Sequence, residues 1–198
     1  MRLAAGLVVS VGVWAAGAIA ARADDISDKL DAARGAYARA DALRALEALQ
    51  AAETALTARL TDQFAKALPP PPAGWEASPP DSQPLDAIGG GITITRGYQK
   101  GEAALNAELI VDNPAVGNAQ ALFAPTGPAG GAGWKSVKIG GEDALLRFDA
   151  ANKDGEIVIT LLGRAALQIE GSEIASDQPL TDLAQGWNLT LLKKLLVP

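Results

Sequence analysis

The chain has 198 residues, 48% of them apolar, 20% charged and 5% aromatic, with 17 basic and 23 acidic side chains and a net charge of −6. It holds no cysteine and no histidine. That excludes disulfides, haem, thiolate clusters, zinc sites of the usual N/S type, and any nucleophile system built on a thiol or an imidazole base. An enzyme made from this chain would have to rely on carboxylates, Lys, Tyr or an oxygen-ligated metal. The length suits one ordinary domain with an attachment.

Met1-Arg2 is followed by an uncharged apolar run, Leu3 to Ala21, then Ala21-Arg22-Ala23 and the acidic pair Asp24-Asp25. A short positive start, an apolar stretch and an Ala-x-Ala site describe a secretory signal peptide over residues 1–23, cleaved near Ala23. A run of this length also suits an uncleaved anchor, but its small residues and cleavage pattern favour removal. No cysteine follows the run for lipid attachment, and there is no twin-arginine pair. The expectation is a periplasmic protein with no stable membrane insertion once the leader is gone. Arg2 and Arg22 leave with it, so the remaining 175 residues carry 15 basic against 23 acidic groups, a net −8. Such a charge is a poor match to nucleic acid or to anionic lipid.

Residues 24–68 read as a helical arm. Ile26, Leu30, Ala33 and Tyr37 recur with helical spacing. Asp41 is placed as the N-cap of a second helix running to about Ala67, with Leu46, Leu49, Leu56, Leu60 and Phe64 on one stripe. Seven prolines between Pro69 and Pro84 then predict a stiff Pro-rich linker over 69–88, with Trp75 as an anchor on the next domain.

The period changes to two at Gly89, and residues 89–198 predict an α+β domain. Ile92–Tyr98 and Leu105–Val111 read as a hairpin turning at Gln99–Glu102, and Ala115–Phe123 as a short helix. Pro125–Gly133 is a Gly/Pro loop. Four strands follow, Trp134–Ile139, Asp143–Asp149, Glu156–Leu162 and Arg164–Glu170, in an antiparallel meander. A final helix after Pro179 carries Leu180, Leu183, Trp187, Leu191 and Leu195 on one face, with Gly186 as a point of interruption. The predicted order is helical hairpin or long helix, linker, then ββ-α-ββββ-α with helices packed on a mostly antiparallel sheet.

Three stretches, Ala67–Trp75, Gly89–Tyr98 and Lys138–Ala144, resemble an uncharacterised family of exported proteobacterial proteins, a resemblance that spans nearly the whole mature chain and implies no particular activity. The arm is similar to a single tetratricopeptide-type hairpin through Ala33, Ala45, Leu49 and Ala52. The C-terminal strand order resembles that of PsbP-like α+β modules.

Motifs that carry chemistry are few. Asp149–Glu156 invites a calcium-loop reading, but placing Gly155 at the invariant glycine puts Ala150 and Leu161 where carboxylates are required. A hairpin turn explains Asn152–Gly155 better. Gly89-Gly90-Gly91 precedes a strand rather than a helix, so it lacks phosphate-loop geometry. The pairs Asp81 with Asp86 and Glu142 with Asp143 read as solvated surface charge, and Lys193-Lys194 as the cationic end of a helix. No catalytic, cofactor-binding or metal residue is assigned. The expected role is that of a non-catalytic exported interaction or scaffold module, whose arm binds a protein partner or self-associates. The alternative is a periplasmic carrier of a small apolar ligand or lipid in the α+β domain, with Pro125–Gly133 as a lid.

Overall fold

The structure, a computed structural model, describes residues 17–85, 89–124 and 133–197, with the side chains of the first helix described from Asp25. The chain divides into two compact units, Met1–Ala58 and Arg59–Pro198.

In the first unit, α1 (Gly17–Ala38) is followed after a three-residue turn by α2 (Ala42–Ala65), whose last turns belong to the second unit. The expected cleavage site, Ala21-Arg22-Ala23, lies within α1. The turn is a Schellman arrangement: Asp41 N–H donates to Ala36 C=O at 3.0 Å and Ala40 N–H to Tyr37 C=O at 2.9 Å. Asp41 then caps α2, its Oδ1 accepting from Arg44 N–H at 3.2 Å, as the sequence predicts. Ala40 sits at φ 60°, in the left-handed region where a Cβ is unfavourable. Ala40→Gly is therefore expected to stabilise the hairpin by about 0.5–1 kcal/mol, read as a higher denaturant midpoint. An unchanged or lower midpoint would count against this turn. The buried residues of the unit are Ile26, Ala33 and Ala36 on α1 and Ala45 and Ala52 on α2. Small side chains at these positions suit the close approach of two antiparallel helices joined by a short turn.

The second unit is an α+β domain around one antiparallel sheet. Its strands are β1 (Glu76–Ala77), β2 (Asp81–Pro84), β3 (Ile92–Lys100), β4 (Ala103–Val111), β5 (Lys135–Ile139), β6 (Glu142–Asp149), β7 (Asp154–Leu161) and β8 (Ala165–Ser172). The order is β1-β3-β4-β8-β7-β6-β5, with β2 also paired to β3. The four-strand meander β5 to β8 appears as predicted. What joins it to the β3–β4 hairpin is the long ladder of β4 on β8, from Ala104 opposite Ser172 to Val111 opposite Ala165.

Residues 69–85, read from composition as part of a spacer, are tied to the sheet. Glu76 and Ala77 pair with Gln99 and Tyr98, and Asp81–Pro84 with Thr95–Ile92. Arg96 Nε donates to Ser78 C=O at 2.9 Å, and the buried Tyr98 hydroxyl to Pro69 C=O at 2.7 Å. Proline is tolerated here because β1 and β2 form an edge, where a missing N–H breaks no inner ladder. Trp75 packs against the core, as expected of an anchor.

Burial pushes the Tyr98 phenol up to about 12, against the opposing charge and hydrogen bond of Arg96. Unfolded tyrosine ionises near pH 10 while the folded residue keeps its proton. The stability this gives is complete below pH 10 and is lost as pH rises towards 12. Tyr98→Phe is expected to flatten the fall in stability between those limits, at a cost of about 1–2 kcal/mol at neutral pH for the lost hydrogen bond. Equal alkaline slopes for both proteins would refute this account.

One face of the sheet carries the core. Leu105, Ala107, Leu109, Ile157, Ile159, Leu167 and Ile169 point into it, together with Phe64, Ala67 and Leu68 from the end of α2 and the residues just after it. It is covered by α4 (Gln178–Gln185) and α5 (Leu189–Leu196). The single terminal helix read from the sequence is thus two. The break at Gly186–Asn188 resets the phase, so Leu189, Leu192 and Leu196 are buried while Leu191 and Leu195 are only partly so. Asn188 caps α5 by accepting from Leu191 N–H at 3.0 Å. The helix α3 (Ala115–Leu122), of the same length as α4 and α5, contacts β4, β7 and β8. Of the loop Pro125–Gly133, only Gly133 lies within the described residues.

Candidate functional site

The stripe on α2 is the first feature the core does not explain. Its last member, Phe64, is 2% exposed and belongs to the sheet core. The other four are half-exposed on the same helix: Leu46 at 53%, Leu49 at 50%, Leu56 at 48% and Leu60 at 41%. On α1, Leu30 and Tyr37 are also exposed, although both belong to the face that spacing predicts to be buried. The reason is geometric. Alanines fill the seams of both helices, so the larger side chains are displaced to one flank of each. At 100° per residue, Leu30 and Tyr37 lie roughly 60° from the α1 seam and the leucines on average roughly 65° from the α2 seam. In an antiparallel pair of right-handed helices both offsets fall on the same side. The hairpin therefore presents one apolar face, interrupted on α2 by the exposed Glu53.

The second feature is a groove of about 570 Å³ on the other face of the sheet, lined by Asn106, Arg147, Asp149, Asp154, Glu156 and Glu170 among others. Register creates it: Asn106 stands opposite Glu170, Glu170 opposite Glu156, and Glu156 opposite Arg147. Arg147 Nη2 is 3.0 Å from Glu156 Oε2, and its guanidinium lies 4.8 Å from the centre of the Trp134 ring. Gln168 Nε2 donates to Glu156 Oε1 at 2.9 Å and to Glu170 Oε1 at 3.0 Å. Burial raises the Glu156 carboxyl above its ordinary value, and the charge of Glu170 adds to this against Arg147. The Gln168 amide thus bridges the two carboxylates. This row is laced together by its own members.

Asp149 closes the β6–β7 turn. Its carboxylate accepts from Asn152 Nδ2 at 2.8 Å and from the backbone N–H groups of Asn152 and Ala151, which together lower its pKa. The segment is a hairpin turn, as read, but it turns at residues 150–153, and Asp154 and Gly155 already pair with Asp149 and Phe148 in the ladder. Glu142 and Asp143 do not converge: Glu142 pairs with Lys193 at 2.5 Å and Asp143 with Lys138 at 2.6 Å. Asp81 is exposed on β2, and Asp86 lies outside the described residues. Among the described residues, no group of three or more acidic side chains is placed to hold a metal ion, and no helix is long and apolar enough to cross a membrane.

The groove row escapes sequence reading because its members come from four strands. Their outward alternation is visible, but their adjacency depends on the β4–β8 register. The helix stripe is legible in sequence, yet nothing there tells an exposed leucine from a packed one. Comparison with family profiles, with curated proteins and with solved structures found no match for this chain.

Proposed function

We propose that this protein is an exported, non-catalytic interaction module that engages a protein partner through its helical hairpin. The observation that carries the reading is the row Leu46, Leu49, Leu56 and Leu60, half-exposed on a helix whose next stripe residue is in the core. Isolated surface leucines need no explanation, but a contiguous apolar face is characteristic of a contact surface. The carrier alternative has less support, since the groove lining includes the charged side chains Arg147, Asp149, Asp154, Glu156 and Glu170, which an apolar ligand would have to desolvate.

A photoreactive residue at Leu49 or Leu56, in the protein expressed in its own host, is expected to form discrete protein adducts. The same residue at the exposed Thr190 of α5 is expected to form none. Equal labelling at all three positions, or none at any, would overturn the proposal.

A further inference from the structure

We infer that the occupant of this apolar face is a second copy of the chain, with two hairpins packing face to face as a four-helix bundle. The inference rests on the reading of the hairpin as the contact surface and names its partner. Three observations support it.

The stripe is self-complementary. Leu46, Leu49, Glu53, Leu56 and Leu60 are spaced 3, 4, 3 and 4, so read in either direction they give a heptad pattern of apolar positions. A two-fold axis across the face sets one such row against its own reverse, and a two-fold interface requires that self-complementarity.

The area is adequate. From their exposures, Leu30, Tyr37 and the four leucines offer on the order of 600 Å² per copy, so a pair buries about 1,200 Å², the lower end for specific interfaces. The leucine row alone falls short of this, which is why both helices of the hairpin are required.

The charge permits it. The chain is acidic overall, and like copies repel, yet the positions flanking the row on its outer side, Gln50 and Thr57, are uncharged. Glu53 is the one charge within the row. A polar residue at such a position weakens a helical interface while fixing its register, so the association is reversible.

The test is sedimentation equilibrium of the purified protein across roughly 1–100 µM, the range in which an interface of this size associates. A concentration-dependent monomer–dimer equilibrium is expected. Leu49→Glu with Leu56→Glu should weaken it about 100-fold or more, because buried central positions dominate such interfaces. Glu53→Leu should tighten it about tenfold, since it removes a desolvated charge. The three side chains are exposed in the single copy, so helix content and melting should be unchanged at concentrations where the protein is monomeric. A wild-type protein that stays monomeric, or a dimer that the double variant leaves intact, overturns the inference. If a monomeric protein still forms adducts with a different chain at Leu49, the second copy is excluded and the hairpin remains the contact surface. A monomer without adducts ends both.

Discussion

Replacing Gly91 with alanine is expected to cost about 4 kcal/mol or more and to lower the melting temperature by roughly 10 °C. Gly91 has φ 83° at the start of β3, and an added Cβ would lie 2.1 Å from Val111 C=O and 2.7 Å from Asp112 C=O. Those are backbone atoms at the end of β4, where Ile92 stands opposite Val111. No side chain can swing aside to relieve the clash, so the strands must separate. The neighbouring Gly90 is the control. It has φ 84° but no heavy atom within 4 Å of a built Cβ, so Gly90→Ala should cost only about 1–2 kcal/mol, the penalty of the left-handed region. Thermal melts of the two variants separate the contributions. Similar losses at both positions would show that conformation, not close approach, fixes glycine here. The run of glycines is thereby explained by chain geometry, with no need for a phosphate.

Phe64→Ala is expected to cost about 3–5 kcal/mol, as for a large aromatic removed from a packed core. Leu56→Ala, two turns earlier on the same stripe of the same helix, should change stability by no more than about 0.5 kcal/mol. The two residues have similar chemistry and differ in burial, at 2% and 48% exposed. Trp187 lies in the sheet core that Phe64 joins and Trp75 packs against it, so denaturation followed by tryptophan fluorescence reads the effect. A small loss at Phe64 would detach the end of α2 from the core. A large loss at Leu56, measured at a concentration where the protein is monomeric, would mean that the row is packed within the single copy, and would remove the basis for the hairpin as a contact surface.

Much of the fold was legible because its elements declare themselves locally. The change of hydrophobic period from helical to two at Gly89, the Asp41 cap, the turn at Asn152–Lys153 and the interruption at Gly186 are each set by residues a few positions apart. Residues 69–85 were less legible. Their prolines correctly exclude helix, but proline is as compatible with an edge strand as with a free spacer. What ties the segment to the sheet is Tyr98 and Arg96 reaching back to Pro69 and Ser78, nearly twenty to thirty residues away. The burial of the end of the arm was hidden for a similar reason. The stripe keeps its helical spacing from Leu46 to Phe64, broken only by Glu53, and nothing in that spacing marks where solvent gives way to core.

By itself, the sequence determined the α+β class, the order of elements, the turn chemistry and the exclusion of thiol and imidazole catalysis, because these follow from residue type and short-range period. The tertiary structure alone decided three things. It closed β4 on β8, which assembled the row Asn106, Glu170, Glu156 and Arg147 from four strands. It laid β1 and β2 along the sheet edge. It also divided one leucine stripe into a buried end and an exposed row. Each depends on contacts between residues far apart in the chain, where burial is set by what a surface meets and not by the residue that forms it.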